Sequence, residues 1–288
     1  MSPDVSGGAA TRPAEIGPTT ALCGIVLHPA GHTRSPAMHN AAFAALGIDA
    51  VYLAFDVPSA GLGVAIAGAR ALGVRQLAVS IPHKEAVMAH LDEVDETARR
   101  IGAVNTVTRR DGRLVGSNTD WIGVARALET QRSLAGARTV VLGAGGAARA
   151  AVHAMLVRGA RVVVLNRTLD KARKLADELG AHGAGELGAL RSHPCDVIVN
   201  ATSVGLHEDR SPVDASAIPA GAVVLDAVYS PERTRLLRDA EARGARTIGG
   251  KWWLVHQAAE QLRLWTGRDA PLDVMSAAFD RAGARQPT

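Results

Sequence analysis

Thr139-Val140-Val141-Leu142-Gly143-Ala144-Gly145-Gly146-Ala147-Ala148 joins a short apolar run to an alanine-rich stretch through a glycine-rich turn. The run before it is β-prone and the stretch after it is helix-prone, so the turn marks a passage from strand to helix. Gly143 permits a tight exit from the strand, Gly145 lets the backbone approach a pyrophosphate, and Ala148 is small enough for helix to pack on strand. The unpaired amides of the helix N-terminus then face an anion. Such a pattern alone serves equally well as a tight turn. The flanking strand and helix favour a dinucleotide seat, with Gly143, Ala144, Gly145, Gly146 and Ala147 as its contacts.

Outward from this turn, Thr139 to Leu142, Val162 to Leu165, Val197 to Val199 and Val223 to Leu225 read as short apolar strands separated by helical segments, one Rossmann-type unit. Upstream, strands are expected at Ala21 to Leu27, Ala50 to Phe55, Gln76 to Val79, Val104 to Thr108 and Leu114 to Ser117, and helices near Ala37 to Leu46, Ser59 to Leu72 and Glu85 to His90. Thr119 to Glu129 reads as a connecting helix whose Thr-Asp entry suits an N-terminal cap. The fold class is therefore α/β, with βα units around mostly parallel sheets. After Gly249 and Gly250 the pattern is helical to Gly267, and another helix starts at Pro271. Pattern alone leaves open whether these last helices complete the second unit or return to cover the first. Met1 to Thr20, rich in Gly, Ala, Pro, Ser and Thr, reads as a disordered leader.

The end of the strand after the glycine helix bears on the choice of dinucleotide. A carboxylate there would accept from a ribose 2′-hydroxyl, whereas this chain has Asn166-Arg167-Thr168. A guanidinium between two neutral hydrogen-bonding side chains suits a 2′-phosphate, so NADP is expected over NAD. Arg149, one turn into the glycine helix, reads equally as a phosphate contact and as a surface arginine.

Composition narrows the function classes. The 288 residues suffice for two domains; 47% are hydrophobic, 21% are charged, and mean hydropathy is +0.08. No apolar run reaches the roughly 18 residues that would cross a bilayer, so no membrane partner is expected. Lys and Arg exceed Asp and Glu by 32 to 28, but the cations are scattered rather than striped, which disfavours nucleic acid. Two distant cysteines, Cys23 and Cys195, have no metal-ligand spacing, and reduced thiols in a cytoplasmic protein are the expectation. The scattered His32, His39, His83 and His256 read as structural, with no metal site.

In chain order stand Gly31-His32-Thr33-Arg34-Ser35-Pro36-Ala37-Met38-His39-Asn40, Ser80-Ile81-Pro82-His83-Lys84, Gly102-Ala103-Val104-Asn105-Thr106, Asn118-Thr119-Asp120, the glycine turn, Asn166-Arg167-Thr168, Asn200-Ala201-Thr202-Ser203-Val204-Gly205, Asp226-Ala227-Val228-Tyr229 and Gln257-Ala258-Ala259. This ordered set, from about Cys23 to Gly267, resembles the shikimate dehydrogenase family, including the dehydrogenase half of the plant bifunctional enzymes. The resemblance implies a substrate domain over 21–120 and 256–288, an NADP domain over 121–255 and an active site in the cleft between them. It returns the last helices to the substrate domain.

Reduction of a ketone by NADPH needs a proton for the developing alkoxide, and Lys84 with Asp120 is the expected pair. Taken singly, Lys84 reads as a solvated lysine and Asp120 as a helix cap; their occurrence together within the family motifs reverses both readings. Which of the two is the base stays open, because a coupled pair titrates together. The resemblance further implies Thr33, Ser35 and Tyr229 around a substrate carboxylate, Asn105 and Gln257 on ring hydroxyls, Ser80 as a binding hydroxyl, and Thr202, Ser203 and Gly250 on the cofactor side. Departures from the commonest family pattern are Thr33 for serine, Ala78 and Ser80 for asparagine and threonine, and Trp253 for methionine. Trp253 either shapes the nicotinamide pocket or packs the domain junction, and packing is favoured.

These implications point to reversible, NADPH-dependent reduction of 3-dehydroshikimate to shikimate in aromatic amino acid biosynthesis, by a monomer or homodimer. A quinate or quinate/shikimate dehydrogenase is the nearest alternative, with the carboxylate pocket around Thr33 adapted to the extra hydroxyl. A catalytically inactive NADP-binding regulator is the alternative of another class, and the intact Lys84 and Asp120 argue against it.

Overall fold

Short β-prone runs alternating with alanine-rich helices build two six-stranded sheets in the computed structural model, which describes residues 16–285. The first half comprises β1 (Ala21–Leu27), α1 (Ser35–Leu46), β2 (Ala50–Asp56), α2 (Leu62–Ala71), β3 (Gln76–Val79), β4 (Glu93–Val94), α3 (Glu96–Ile101), β5 (Thr106–Arg110) and β6 (Arg113–Ser117). Its sheet has the order β2-β1-β3-β5-β6-β4. β5 alone runs antiparallel to its neighbours β3 and β6, so this sheet is mostly parallel with one reversed strand. The physical reason is the pair Asp111-Gly112, with φ of 48° and 78°. Two successive positive φ values make the tight hairpin turn that places Arg110 opposite Arg113.

The second half follows α4 (Asp120–Glu129) and comprises β7 (Arg138–Leu142), α5 (Gly146–Val157), β8 (Arg161–Leu165), α6 (Leu169–Leu179), β9 (Gly183–Gly185), β10 (Val197–Asn200), β11 (Val223–Asp226), α7 (Arg235–Ala242) and β12 (Arg246–Ile248). Every pairing in its sheet is parallel, and the order is β12-β11-β10-β7-β8-β9. The chain reverses its direction of travel across the sheet between β7 and β10, which opens a crevice at their carboxyl ends. Alternate residues feed the two faces: Val141, Val162, Val164, Val197 and Val199 pack on one, and Val140, Leu142, Leu165 and Ile198 on the other.

α8 (Gly250–Thr266) and α9 (Leu272–Arg285) close the chain. Trp253 packs into a core of the second sheet, whereas Val255, Ala258, Ala259 and Leu262 join Met275 and Phe279 in a core of the first. The closing helices thus return to the first sheet. α4 likewise follows β6 of the first sheet but buries Val124, Ala125, Ala127 and Leu128 against the second. Among the described residues no helix is long and apolar enough to cross a membrane.

Several local expectations differ from the structure. The stretch Glu85 to His90 makes only a 3-10 turn, Ala86–His90. The short β4, β9, β12 and α3 carry too few periodic residues to stand out. α3 is fixed by its ends, with Asp95 Oδ1 accepting from Ala98 N at 2.6 Å and Gly102 closing it at φ 74°. Thr119 gives no side-chain cap to α4; Asn118 Oδ1 accepts from Asp120 N at 3.0 Å, and the Thr119 hydroxyl turns inward. Of the expected disordered leader, residues 1–15 lie outside the described residues. Its last residues are tied down, since the hydroxyls of Thr19 and Thr20 donate to Asp49 at 3.1 and 2.7 Å.

His39 is fully buried on α1, stacked on Tyr52 with ring centroids 4.2 Å apart and planes 1° from parallel. Neither ring nitrogen has a hydrogen-bond partner, and burial pushes its pKa down from 6.5 to about 4. The unfolded chain therefore takes up this proton first as pH falls. The stabilising contribution is complete above pH 6.5 and is lost as pH drops towards 4. We expect His39 to cost about 2 kcal/mol between pH 7 and pH 5, and His39→Phe to flatten that interval in denaturant titrations. Equal losses in wild type and variant would refute the assignment.

Candidate active site

Lys84 is delivered by the turn that leaves β3. His83 N donates to Ser80 O at 2.8 Å, the His83 ring bonds Val57 O at 2.7 Å, and Val104 N donates to Lys84 O at 2.8 Å. Asp120 opens α4 directly after β6. Its approach is fixed by Asn118, which donates to Ala103 O at 2.8 Å and accepts from Asp120 N. These anchors bring Lys84 Nζ to 2.6 Å from Asp120 Oδ2, with the side chains 16% and 7% exposed. Largely withdrawn from water, the two charges compensate each other in one place.

Beneath the pair lies a buried amide and hydroxyl network. Asn105 Oδ1 accepts from Thr119 N at 2.7 Å and from Thr106 Oγ1 at 2.8 Å, while Asn105 Nδ2 donates to Thr119 Oγ1 and to Gln257 Oε1, each at 3.1 Å. Gln261 extends it by donating to Asn105 O at 3.2 Å and Thr106 Oγ1 at 3.0 Å. The network joins β5, the entry to α4 and the middle of α8, so the position of Asp120 depends on both sheets.

A cavity of about 410 Å³ opens between the sheets above the pair. Ser80, Lys84 and Asp120 line it from one side, Gly145, Gly146, Ala147, Thr202 and Ser203 from the other, and Tyr229, Gly250, Trp253 and Gln257 from the junction. On the second side Gly143 has φ 114°, and a Cβ there would stand 3.1 Å from Ala201 O, so glycine is required where β7 and β10 part. A Cβ on Gly145 would meet open space, and one on Gly146 would come within 3.3 Å of Lys84 Cβ. The N-terminus of α5 has no side-chain cap, leaving its amides for a ligand.

At the end of β8, Asn166 Nδ2 donates to Thr168 O at 3.0 Å. Arg167 is exposed and has no side-chain partner among the described residues. An uncapped helix start, an open glycine turn and an unpaired guanidinium fit a dinucleotide with a 2′-phosphate. No group of His, Cys, Asp and Glu arranged to hold a metal ion occurs among the described residues.

Some expected residues stand elsewhere. Thr33, Ser35 and Asn105 are not in the cavity wall. Ser35 is 2% exposed and its amide donates to Thr33 Oγ1 at 3.3 Å, while Asn105 commits its amide to the network. Gly143, Ala144, Asn166, Arg167 and Thr168 also lie outside this wall, along the sheet edge beside it. Arg149 is not a free surface residue but is paired within the protein. Its Nε donates to Ile101 O at the end of α3 and its Nη1 pairs with Glu178 at 2.7 Å, because Gly102 leaves room for the guanidinium. His32 lines the cavity rather than the core. Trp253 does both things considered for it, packing in a core and facing the cavity. Ala78 joins an apolar cluster, where a polar side chain would be poorly housed.

The residues that sequence reasoning missed are Asn200 and Asp226, quoted in motifs but given no role. Asp226 is fully buried; it accepts from Asn200 Nδ2 at 2.8 Å, Val228 N at 3.0 Å and Thr234 Oγ1 at 2.6 Å. Burial raises its pKa from 3.8 to about 6 against those donors. Asn200 Oδ1 in turn accepts from Thr202 N and Oγ1 at 3.0 and 2.7 Å. A carboxylate between adjacent strand ends was the available signal: it holds the two loops that form the far wall.

The fold and cleft are those of a nicotinamide-dependent oxidoreductase, and comparison with known proteins narrows the class. Residues 25–107 match the family model described as shikimate dehydrogenase substrate binding domain, residues 125–207 match shikimate / quinate 5-dehydrogenase, and residues 254–278 match shikimate 5'-dehydrogenase C-terminal domain. The shikimate dehydrogenase (NADP(+)) of Thermococcus kodakarensis is 49% identical over 254 residues, covering 86% of this chain and 92% of its own. That of Methanothermobacter thermautotrophicus is 46% identical, covering 91% and 96%. The crystal structure of shikimate 5-dehydrogenase from Thermus thermophilus in complex with NADP(H) and shikimate superposes with a TM-score of 0.86 at 40% identity, covering 91% and 99%. The chain belongs to the shikimate dehydrogenase family.

Gly250 carries a steric requirement of its own. A Cβ there would fall 2.5 Å from Ala227 O and 2.8 Å from Val228 O, both backbone atoms. Gly250→Ala must therefore push the start of α8 off the β11 loop, and we expect a loss of about 1–3 kcal/mol together with weakened NADP binding. Unchanged thermal stability and cofactor affinity in the variant would contradict this packing.

Proposed function

We propose that the chain catalyses the reversible, NADPH-dependent reduction of 3-dehydroshikimate to shikimate, a step of aromatic amino acid biosynthesis. The observation that carries this reading is the 2.6 Å contact between Lys84 and Asp120, which faces the glycine turn across one cavity. The family, and the relatives' names as NADP-dependent shikimate dehydrogenases, support it. Unpaired, buried Cys23 and Cys195 suit a cytoplasmic enzyme. The two sheets correspond in this reading to a substrate domain and an NADP domain.

Gly143 to Ala147 and the start of α5 hold the pyrophosphate, and Arg167, between Asn166 and Thr168, holds the 2′-phosphate. NADPH, when bound, supplies the hydride. Lys84 presents its ammonium to the carbonyl oxygen, stabilises the negative charge that develops there and, with Asp120, moves the proton that completes the hydroxyl. Asp120 aims the ammonium through its 2.6 Å contact. Asn105 acts through Thr119 by fixing the entry to α4, while Gln257 and Ser80 offer polar groups in the cavity wall. Thr33, Ser35 and Tyr229 hold the substrate carboxylate. Thr33 and Ser35 follow closely on His32, which lines the cavity, and Tyr229 lines it from the junction.

Lys84→Ala should lower kcat by about 10²- to 10⁴-fold with NADPH affinity unchanged by fluorescence titration. Retained turnover would remove Lys84 from the chemistry. An inactive wild type that still binds NADPH tightly would instead favour a non-catalytic binder. Arg167→Asp should move preference from NADP towards NAD, read as the ratio of kcat/KM for the two cofactors; an unaltered ratio would place the phosphate elsewhere.

A further inference from the structure

Arg34 stands between Thr33 and Ser35, yet its side chain is only 6% exposed. Its Nη1 donates to Glu232 Oε1 at 2.9 Å, and Glu232 belongs to the loop that leaves β11 of the second sheet. The guanidinium carbon lies 4.3 Å from the ring centroid of Phe279 on α9 and 5.7 Å from that of Tyr229. A Cβ on Gly283 would fall 2.6 Å from this carbon, so α9 is indented to receive it. The pair thus bridges the two halves at one end of the cleft.

Energetics argue that this arginine is not there for stability alone. Its Nε is buried without a hydrogen-bond partner, and its carboxylate partner is 53% exposed. A buried cation with one half-solvated counterion recovers its desolvation cost poorly, and an apolar side chain of similar volume would serve packing better. What the arrangement does achieve is positional. Arg34 is covalently between the two hydroxyl residues on one side, and Glu232 follows Tyr229 by three positions on the other.

We propose that Arg34 is a positioning residue, whose ion pair with Glu232 crosses the cleft and holds the Thr33–Ser35 turn and the Tyr229 loop in the register that grips the substrate carboxylate. The inference rests on the reaction proposed above. The phenyl face of Phe279 and the recess at Gly283 fix the guanidinium, so that the strut acts through one short contact. Breaking it frees the two loops to separate and weakens recognition of the acid group, while Lys84, Asp120 and the dinucleotide seat are untouched.

The test is Glu232→Gln, which changes a half-exposed side chain and leaves the fold intact, assayed with 3-dehydroshikimate and with its neutral carboxamide analogue. The expected result is a KM for the acid raised about five- to tenfold, with kcat and the KM for NADPH within about twofold, and no change in kcat/KM for the carboxamide. Arg34→Lys should lie between wild type and Arg34→Met. An unchanged KM for the acid, or an equal penalty on acid and carboxamide, overturns the inference and leaves Arg34 a packing residue. Failure of the wild type to turn over the acid at all would strike the proposed reaction instead, and this inference would fall with it.

Discussion

An ammonium and a carboxylate held 2.6 Å apart in a largely dry cleft govern much of this molecule's design. Either charge alone at that depth would be costly; together they are tolerable only if both side chains are held in place. The surrounding residues meet that condition by committing their own hydrogen bonds. His83 ties the lysine turn to the end of β2, Asn118 ties the aspartate to Ala103, and Asn105 binds the amide just before Asp120. The two sheets come together around this small polar nucleus, while their larger apolar cores stay separate.

The second sheet was nearly transparent in the sequence. Its four inner strands, β7, β8, β10 and β11, are short apolar, mostly β-branched and largely buried runs, and such runs interrupted by helices have few alternative folds. The first sheet was less transparent. Its longer strands could be found, but that β5 alone runs against the others follows from the two left-handed residues of Asp111-Gly112, which the strand pattern does not announce. Short edge elements such as β4 and β9 exist because neighbours offer them backbone partners, a cause that is not local to their own residues.

Within the site, the local sequence signalled the glycine turn, Lys84 and Asp120, and the fold brings Lys84, Asp120, Gly145, Gly146 and Ala147 to one cavity. The difficult ones were those whose hydrogen-bonding groups have several possible recipients. Asn105 and Thr119 have the chemistry of ligand contacts and of internal braces alike, and their bonds to one another and to Gln257 come from a three-dimensional proximity that no local pattern announces. Asp226 posed the same difficulty in reverse. A carboxylate at a strand end suggests a ligand, yet here it is enclosed by Asn200, Val228 and Thr234, and it fixes the loops rather than facing the cavity.

α8 carries a mechanical consequence. Its first turn lodges Trp253 in one apolar core, and from Val255 onward it belongs to another, without a break in the helical backbone. Any swing between the halves must bend or rotate that rod, or drag its indole through packed neighbours. Melting should for the same reason be shared: loosening one core withdraws a buttress from the other, so heat ought to dismantle both halves in a single concerted event.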